Sequence, residues 1–96
     1  MDGVERGMIF LRKQKLPPEP SKQAKKFLES LDKKSKHRIR EGIEKIPEGD
    51  ISPYKSKKGY YRLRIGDYRV VFTWISDEQI AIMIIDSRGQ AYKKGV

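Results

Sequence analysis

Three arginines in this sequence have the type and spacing needed to bind one anion together. Residues 60–72 read YYRLRIGDYRVVF, in which two runs of β-branched and aromatic residues flank a Gly-Asp pair, and this pattern predicts a β-hairpin with a two-residue turn. In that register Arg64 lies opposite Arg69, and Arg62 shares their face because side chains alternate between faces. Like charges directly opposite each other repel, whereas guanidinium groups bind phosphate oxygens in bidentate fashion. The spacing therefore favours a phosphate-binding face.

The next strand candidate adds a carboxylate to this face. Residues 79–85 read QIAIMII, which is apolar on both faces and therefore predicts a central strand. If Ile75 pairs with Ile80 across the preceding turn, Asp86 lies opposite Arg69. That pair is either an ordinary surface ion pair, worth under about 1 kcal/mol, or part of a site.

An arginine and two tyrosines extend the same face. Arg88 comes two residues after Asp86, Tyr92 follows Arg88 by four residues, and Tyr60 shares the face of Arg62. Aromatic rings beside guanidinium groups bind single-stranded RNA by stacking its bases and neutralising its phosphates. The alternative is that the arginines only make a solvent-facing sheet soluble, and residue types alone leave both interpretations open.

Length and composition predict one small basic domain, residues 1–96. The 22 lysines and arginines against 13 acidic residues give a formal net charge of +9, so nucleic acid is the leading class of partner and an acidic protein the second. The sequence has no cysteine, no His, Cys or acidic cluster with metal-ligand spacing, and no apolar run long enough for a signal peptide or membrane span. We expect a soluble cytoplasmic protein without metal or membrane contact, in which His37 is an exposed helical residue.

Two amphipathic helices are predicted before the hairpin. The first follows an N-cap at Ser21 and has these apolar residues at helical spacing: Ala24, Phe27, Leu28 and Leu31. The pattern breaks at residues 32–35, and a second helix stops before Pro47 with these apolar residues: Ile39, Ile43 and Ile46. Gly42 inside the second helix costs about 1 kcal/mol relative to alanine, which suggests that the helix packs closely on the sheet there.

The remaining segments complete an α+β fold. Residues 8–13 (MIFLRK) predict a short strand, residues 14–20 (QKLPPEP) a connector, and residues 1–7 a disordered tail. Residues 47–59 predict a basic surface loop that carries Lys55, Lys57 and Lys58. The order is β-α-α-β-β-β, with the N-terminal strand and a two-helix hairpin packed on a small antiparallel β-sheet. The helices should cover the apolar face of the hairpin and leave the arginines uncovered.

Several of these segments resemble the RelE/ParE superfamily of toxins from type II toxin–antitoxin modules. They are KGYYRLRIGDYRVVF, IAIMII and DSRGQAYKK, together with the helical stretch SKQAKKFLESLDKKSKHRIREGIEKIP. The resemblance extends over about residues 21–94 and implies a RelE-like fold. It also implies a ribosome-dependent endoribonuclease, in which a ribose 2′-hydroxyl of messenger RNA attacks the adjacent phosphate without metal or cofactor. The implied partners are the ribosome, messenger RNA and a cognate antitoxin encoded in the same operon.

The resemblance further assigns roles to single residues. The implied catalytic residues are Arg64, Arg69, Arg88 and Tyr92. The implied RNA-binding residues are Arg62, Lys55, Lys57, Lys58 and Tyr60. At the positions of Arg62 and Arg64 the best-studied RelE-type toxins carry lysines. Arginine is effectively always protonated, so here both side chains should neutralise phosphate rather than act as a general base. Proton transfer is then assigned to Tyr92. Its unperturbed pKa of about 10 would have to be lowered by the neighbouring Arg88 and Arg69.

Two other functions stay open at this point. One is a ParE-like toxin that shares the fold and inhibits DNA gyrase by binding, without hydrolysis. The other is an RNA-binding domain without catalytic activity. Arg88 together with Tyr92 favours the endoribonuclease, because the gyrase-directed branch typically lacks that pair. Arginine in place of lysine at positions 62 and 64 keeps the non-catalytic function open.

Overall fold

The computed structural model describes residues 13–87, which contain two helices and five strands. In chain order they are β1 (Glu19–Pro20), α1 (Lys22–Glu29), α2 (Lys33–Glu44), β2 (Asp50–Pro53), β3 (Tyr61–Ile65), β4 (Tyr68–Trp74) and β5 (Ile80–Ser87). The α+β class is the one that the sequence predicts. The expected tail at 1–7 and residues 8–12 of the expected first strand lie outside the described residues. No helix within residues 13–87 is long and apolar enough to cross a membrane.

Helix α1 begins where the sequence predicts, after Ser21. The Ser21 hydroxyl accepts a hydrogen bond from the Ala24 amide (3.1 Å) and donates one to the Met83 carbonyl of β5 (2.6 Å), so one side chain caps the helix and fastens it to the sheet. Helix α2 begins at Lys33, within the segment at 32–35 that the apolar pattern predicts as a break. The prediction is wrong there because Lys33 and Lys34 are exposed, so the helix begins without apolar residues.

Gly42 brings helix α2 close to the sheet, as the sequence predicts. A β carbon at this position would lie 2.5 Å from Cδ1 and 2.9 Å from Cγ1 of Ile65 in β3. Both distances are too short for carbon atoms, so a larger residue here would require the Ile65 side chain to move, and glycine allows this close approach despite its low helix propensity. The two neighbouring isoleucines of the helix, Ile39 and Ile43, belong to the buried core.

The five strands form one mixed sheet in the order β1-β5-β4-β3-β2, in which β1 runs parallel to β5 and all other neighbours are antiparallel. Three predictions are corrected by this arrangement: the sheet is not purely antiparallel, the connector at 14–20 contains β1, and the loop at 47–59 contains β2. Both unpredicted strands include a proline and lie at an edge of the sheet, where a missing N–H group is tolerated. The central position predicted for β5 is confirmed, since it has a neighbour on each side.

The hairpin of β3 and β4 has the predicted register, with Arg64 paired to Arg69. In the turn between them Gly66 adopts a φ of +59°, which favours glycine at the first central position of a hairpin turn. The glycine therefore determines which residues of the two strands face each other.

The pairing of β4 with β5 agrees with the prediction at only one end. Arg69 pairs with Asp86, as predicted. At the other end Trp74 pairs with Ile80, so the predicted pairing of Ile75 with Ile80 is wrong. A β-bulge midway along the two strands shifts the register by one residue and reconciles the two ends.

The helices cover the apolar face of the sheet, as predicted. The hairpin contributes Leu63, Val70 and Phe72 to the core, and all three are at most 2% exposed. They pack with buried residues of both helices and of β5: Ala24, Ile39, Ile43, Ile80, Ile82 and Ile85. Because the helices lie on this side, they do not cover the opposite face of the sheet, although Val71 on that face is only 5% exposed.

Candidate nucleic-acid interface

The sheet face turned away from the helices carries the three predicted arginines. Cross-strand pairing arranges it in two adjacent rows. The first row consists of Asp50, Arg64, Arg69 and Asp86. The second row consists of Ser52, Arg62, Val71 and Ile84. We call these two rows the arginine face. The pairing therefore confirms that Arg62, Arg64 and Arg69 share a face, and it adds two residues of β2 that the sequence did not predict.

Arg69 is held in a fixed position by Asp86. Its Nε–H and Nη2–H groups donate to the two carboxylate oxygens of Asp86 at 3.0 and 2.9 Å, with both side chains 39% exposed. The hydrogen bonds to Asp86 and the negative charge of Asp86 both raise the pKa of Arg69, and Tyr54 makes a smaller contribution in the same direction. Since a guanidinium group has five N–H donors and two are used here, about three remain for a ligand.

Arg64 is exposed and lies between an acidic and a basic neighbour. It pairs with Asp50 on β2 and with Arg69 on β4. Within residues 13–87 no ion pair involves Arg64, so its guanidinium group is available to a ligand. The first row contains two arginines and two aspartates and is formally neutral, so the excess positive charge of this surface comes from Arg62 and the adjacent lysines.

Arg62 is half-buried and only partly hydrogen-bonded. Its Nη2–H donates weakly to the Ser52 hydroxyl at 3.4 Å. Its Nε–H is buried and has no hydrogen-bond partner in the described part of the chain. An unpaired buried donor on a charged group is costly. Because this N–H group is buried, a ligand reaches it only after the Arg62 side chain moves.

The loop between β2 and β3 places the predicted lysines next to this face. Lys55, Lys57 and Lys58 are all exposed. The Lys57 ammonium lies 4.6 Å from the centroid of the Tyr60 ring, which is a cation–π contact. Tyr60 is half-buried and continues the face of Arg62 by alternation along the strand. The loop therefore adds exposed positive charge and one half-buried aromatic ring to the candidate site.

Tyr54 is a site residue that the sequence did not predict. Its amide donates to the Tyr60 carbonyl at 2.9 Å, which extends the β2–β3 pairing by one pair, and its phenol contributes to the raised pKa of Arg69. Tyr54, Ser52 and Asp50 alternate with Pro53 and Ile51, and this alternation was the available signal. It was missed because proline, glycine and aspartate in this segment favour a loop.

The remaining predicted site residues are not placed. Arg88 and Tyr92 lie outside the described residues, so the structure does not test their position. His37 is exposed on α2, as predicted, with Nε2 3.8 Å from the carboxylate of Glu41 one turn later. Residues 13–87 include no group of three or more His, Cys, Asp or Glu side chains that could hold a metal ion.

Comparison with known proteins identifies relatives of this chain. A family model described as the ParE toxin of the type II toxin–antitoxin system parDE matches residues 19–92. A chain of the archaeal RelE–RelB complex from Pyrococcus horikoshii is 29% identical, with a TM-score of 0.57 over 82% of this chain and 98% of that chain. No curated protein matches the sequence significantly.

Two more distant structures share the fold. A chain of the RelB–RelE antitoxin–toxin complex from Methanococcus jannaschii is 24% identical, with a TM-score of 0.61 over 79% of this chain and 96% of that chain. A conserved hypothetical protein from Helicobacter pylori is 19% identical, with a TM-score of 0.53 over 77% of this chain and 96% of that chain. At these identities the likeness concerns the fold alone.

Proposed function

This chain belongs to the ParE toxin family of type II toxin–antitoxin systems, within the RelE/ParE superfamily, and from this premise we propose that it is a metal-independent endoribonuclease that cleaves messenger RNA on the ribosome. The observation that carries the proposal is the arginine face. It presents one exposed guanidinium group (Arg64), one held rigidly by a carboxylate (Arg69) and one with an unpaired buried N–H (Arg62). All three side chains lie in two adjacent rows of one sheet face, across which a phosphodiester can lie.

The reaction that such a face can serve is transesterification within the RNA itself. The ribose 2′-oxygen forms a bond to phosphorus while the bond from phosphorus to the 5′-oxygen of the next nucleotide breaks. A general base takes the proton of the 2′-hydroxyl, and a general acid gives a proton to the departing 5′-oxygen. The products are a 2′,3′-cyclic phosphate and a 5′-hydroxyl end. Negative charge builds up on the phosphoryl oxygens, and preorganised donors aimed at those oxygens lower the barrier.

The arginines supply the donors for that charge. Arg64 and Arg69 are the residues that we assign to transition-state neutralisation, because one is unpaired and the other is fixed in orientation by Asp86. Arg62 binds and orients the phosphate through its Nη–H groups, since its Nε–H is buried in this structure. None of the three acts as the general base, since arginine keeps its proton throughout the accessible pH range.

Proton transfer is assigned to the C-terminal segment. We propose that Tyr92 moves the proton and that Arg88 stabilises both its phenolate form and the transition state. Both residues follow the last strand, whose Asp86 already lies on the arginine face. Exposed lysines of the β2–β3 loop, Lys55, Lys57 and Lys58, bind the RNA backbone.

The partner that would keep such a toxin silent is an antitoxin encoded beside it. Two of the matched structures are complexes of a RelE toxin with RelB. The formal net charge of +9 favours an acidic antitoxin segment. Expression of this chain alone should arrest growth, and co-expression with the adjacent gene should restore it. Harmless expression of the wild-type chain in a compatible host would contradict a toxin function.

Cleavage mapping on translating ribosomes tests the activity. Messenger RNA should acquire new 5′-hydroxyl ends in the presence of the protein and of ribosomes, while DNA relaxation by gyrase should be unaffected. Inhibition of gyrase without new RNA ends would instead assign the chain to the gyrase-directed branch. RNA binding without new ends would make it a non-catalytic RNA-binding domain.

A further inference from the structure

Two tyrosines that border the arginine face do not stack on any other aromatic ring within residues 13–87, although the Lys57 ammonium lies over the Tyr60 ring. We propose that Tyr54 and Tyr60, which we call the tyrosine pair, form a nucleobase subsite that stacks one base of a single-stranded RNA whose phosphate is bound at Arg62. The inference rests on the proposed RNA-binding function of the arginine face and adds to it the position at which a base is held.

The backbone places the tyrosine pair side by side. In the β2–β3 pairing Pro53 lies opposite Tyr61, and the next pair in the same register is Tyr54 with Tyr60. The hydrogen bond from the Tyr54 amide to the Tyr60 carbonyl, at 2.9 Å, shows that the register continues to this pair. Directly opposite residues on an antiparallel sheet have β carbons about 4.5–5.5 Å apart. Two phenol rings therefore start from neighbouring points on one face.

That face is the one that carries Arg62. Tyr60 precedes Arg62 by two residues, and Tyr54 follows Ser52, the partner of Arg62, by two residues. Side chains two residues apart on a strand are separated by about 6.6–6.8 Å along it. A nucleotide whose phosphate contacts Arg62 can therefore lay its base toward the tyrosine pair without leaving the sheet surface.

The loop that carries the pair is closed by backbone hydrogen bonds. The Lys57 amide donates to the Tyr54 carbonyl at 3.4 Å, and the Tyr60 amide donates to the Lys57 carbonyl at 3.3 Å. From the neighbouring strand the Thr73 hydroxyl donates to the Gly59 carbonyl at 2.8 Å. These hydrogen bonds hold the turn that carries both tyrosines. A tyrosine side chain also loses little conformational entropy when a ligand binds.

The rings themselves are not engaged with other aromatic rings. Within residues 13–87 neither ring of the pair stacks on another ring, and neither hydroxyl makes a hydrogen bond; the only ring contact is that of the Lys57 ammonium over Tyr60. Both residues are nevertheless half-buried. By contrast, on the opposite face Tyr61 packs against Phe72 of the core and Tyr68 packs against the partly buried Phe27. Half-buried rings without aromatic partners beside unpaired guanidinium donors match the way proteins bind unpaired bases.

The chemistry of stacking determines which ligand fits. Every base has a π-face, so the subsite should accept any unpaired base and prefer purines, which have the larger stacking area. A base that is paired in a duplex presents no free face, so double-stranded RNA of the same sequence should gain nothing from the tyrosine pair.

The test measures the binding of a short single-stranded RNA that contains a fluorescent adenine analogue quenched by stacking. With the wild-type protein, the fluorescence should fall when the analogue occupies one particular position. Tyr54→Leu and Tyr60→Leu should abolish that quenching and weaken binding by about 5- to 150-fold, whereas Tyr54→Phe and Tyr60→Phe should keep both. The log–log dependence of affinity on salt should stay unchanged in all four variants, because no phosphate contact is removed.

A second arm uses the wild-type chain only, so that it does not depend on how the variants fold. An abasic nucleotide at the quenched position should weaken binding by the same factor, and elsewhere it should have little effect. Unchanged quenching and affinity in both leucine variants, or no position sensitive to base removal, would overturn the subsite. If Arg62→Ala still weakens RNA binding in that case, the proposed function survives without the subsite. Absence of RNA binding by the wild-type chain at low salt would also overturn the subsite, whereas the proposed function is overturned only if no new 5′-hydroxyl ends form on translating ribosomes.

Discussion

Replacement of Arg62, Arg64 and Arg69 by alanine should flatten the salt dependence of RNA binding while the fold stays intact. Each phosphate neutralised on a single strand contributes about −0.7 to the slope of log affinity against log salt. The arginine face and its lysine loop can engage about three to five phosphates, which predicts a wild-type slope of about −2 to −3.5. Removal of the three arginines should therefore reduce the magnitude of the slope by about 2.

The structure also predicts how the single variants differ. Arg64 has no ion-pair partner among the described residues, so Arg64→Ala should remove one full phosphate contact. Arg69 already shares two N–H groups with Asp86, so Arg69→Ala should have the smaller effect on the slope. Arg40→Ala is the matched control, because Arg40 is exposed on helix α2 on the other side of the sheet.

Titration of a fluorescent single-stranded RNA at four or more salt concentrations measures these slopes, and thermal unfolding of each variant checks the fold. An unchanged slope in the triple variant, together with a reduced slope in the control, would place the RNA-binding surface on the helices and refute the argument. Loss of cooperative unfolding in the triple variant would show that the arginines stabilise the sheet instead.

Three further predictions concern packing, the ion pair and the C-terminal tyrosine. Gly42→Ala should lower the free energy of unfolding by about 1–3 kcal/mol, measured by denaturant titration, because the added methyl group overlaps Ile65; unchanged stability would show that the helix can move outward. Asp86→Asn should change the free energy of unfolding by less than about 1 kcal/mol, since the pair is well exposed. The same change should steepen the RNA salt slope by less than about 0.7, because Arg69 already makes part of a phosphate contact and is released to make a fuller one; a shallower slope would contradict the reasoning. Tyr92→Phe should slow cleavage by about 10²- to 10⁴-fold with little change in RNA affinity; near-normal cleavage by Tyr92→Phe but not by Tyr92→Ala would make the tyrosine a stacking platform.

The parts of the fold that the sequence predicted are those governed by local chemistry. Gly66 determines the hairpin register because the turn needs its positive φ, and Ser21 marks the start of a helix because its hydroxyl can accept an amide hydrogen bond. Gly42 signalled a close approach because no other residue would leave that space. These local features were enough to predict which face of the sheet the helices cover, which face they leave uncovered, and that three arginines share the uncovered face.

The parts that the sequence did not predict depend on partners that are distant along the chain. β1 is only two residues long, and it counts as a strand only because β5 lies beside it. β2 contains aspartate and proline, which disfavour strands in general but not at a sheet edge. The bulge between β4 and β5 leaves no local sign in an apolar run. Because β2 was missed, the residues that it adds to the site, Ser52 and Tyr54 among them, were missed as well.

Single-turnover cleavage of messenger RNA on programmed ribosomes tests the central claim, that the arginine face stabilises the transition state of RNA cleavage. Arg64→Ala should cleave about 10²- to 10³-fold more slowly than the wild-type chain, and the matched control Arg40→Ala should cleave at the wild-type rate. Equal rates for Arg64→Ala and the wild type, or an equal loss in the control, would contradict the claim.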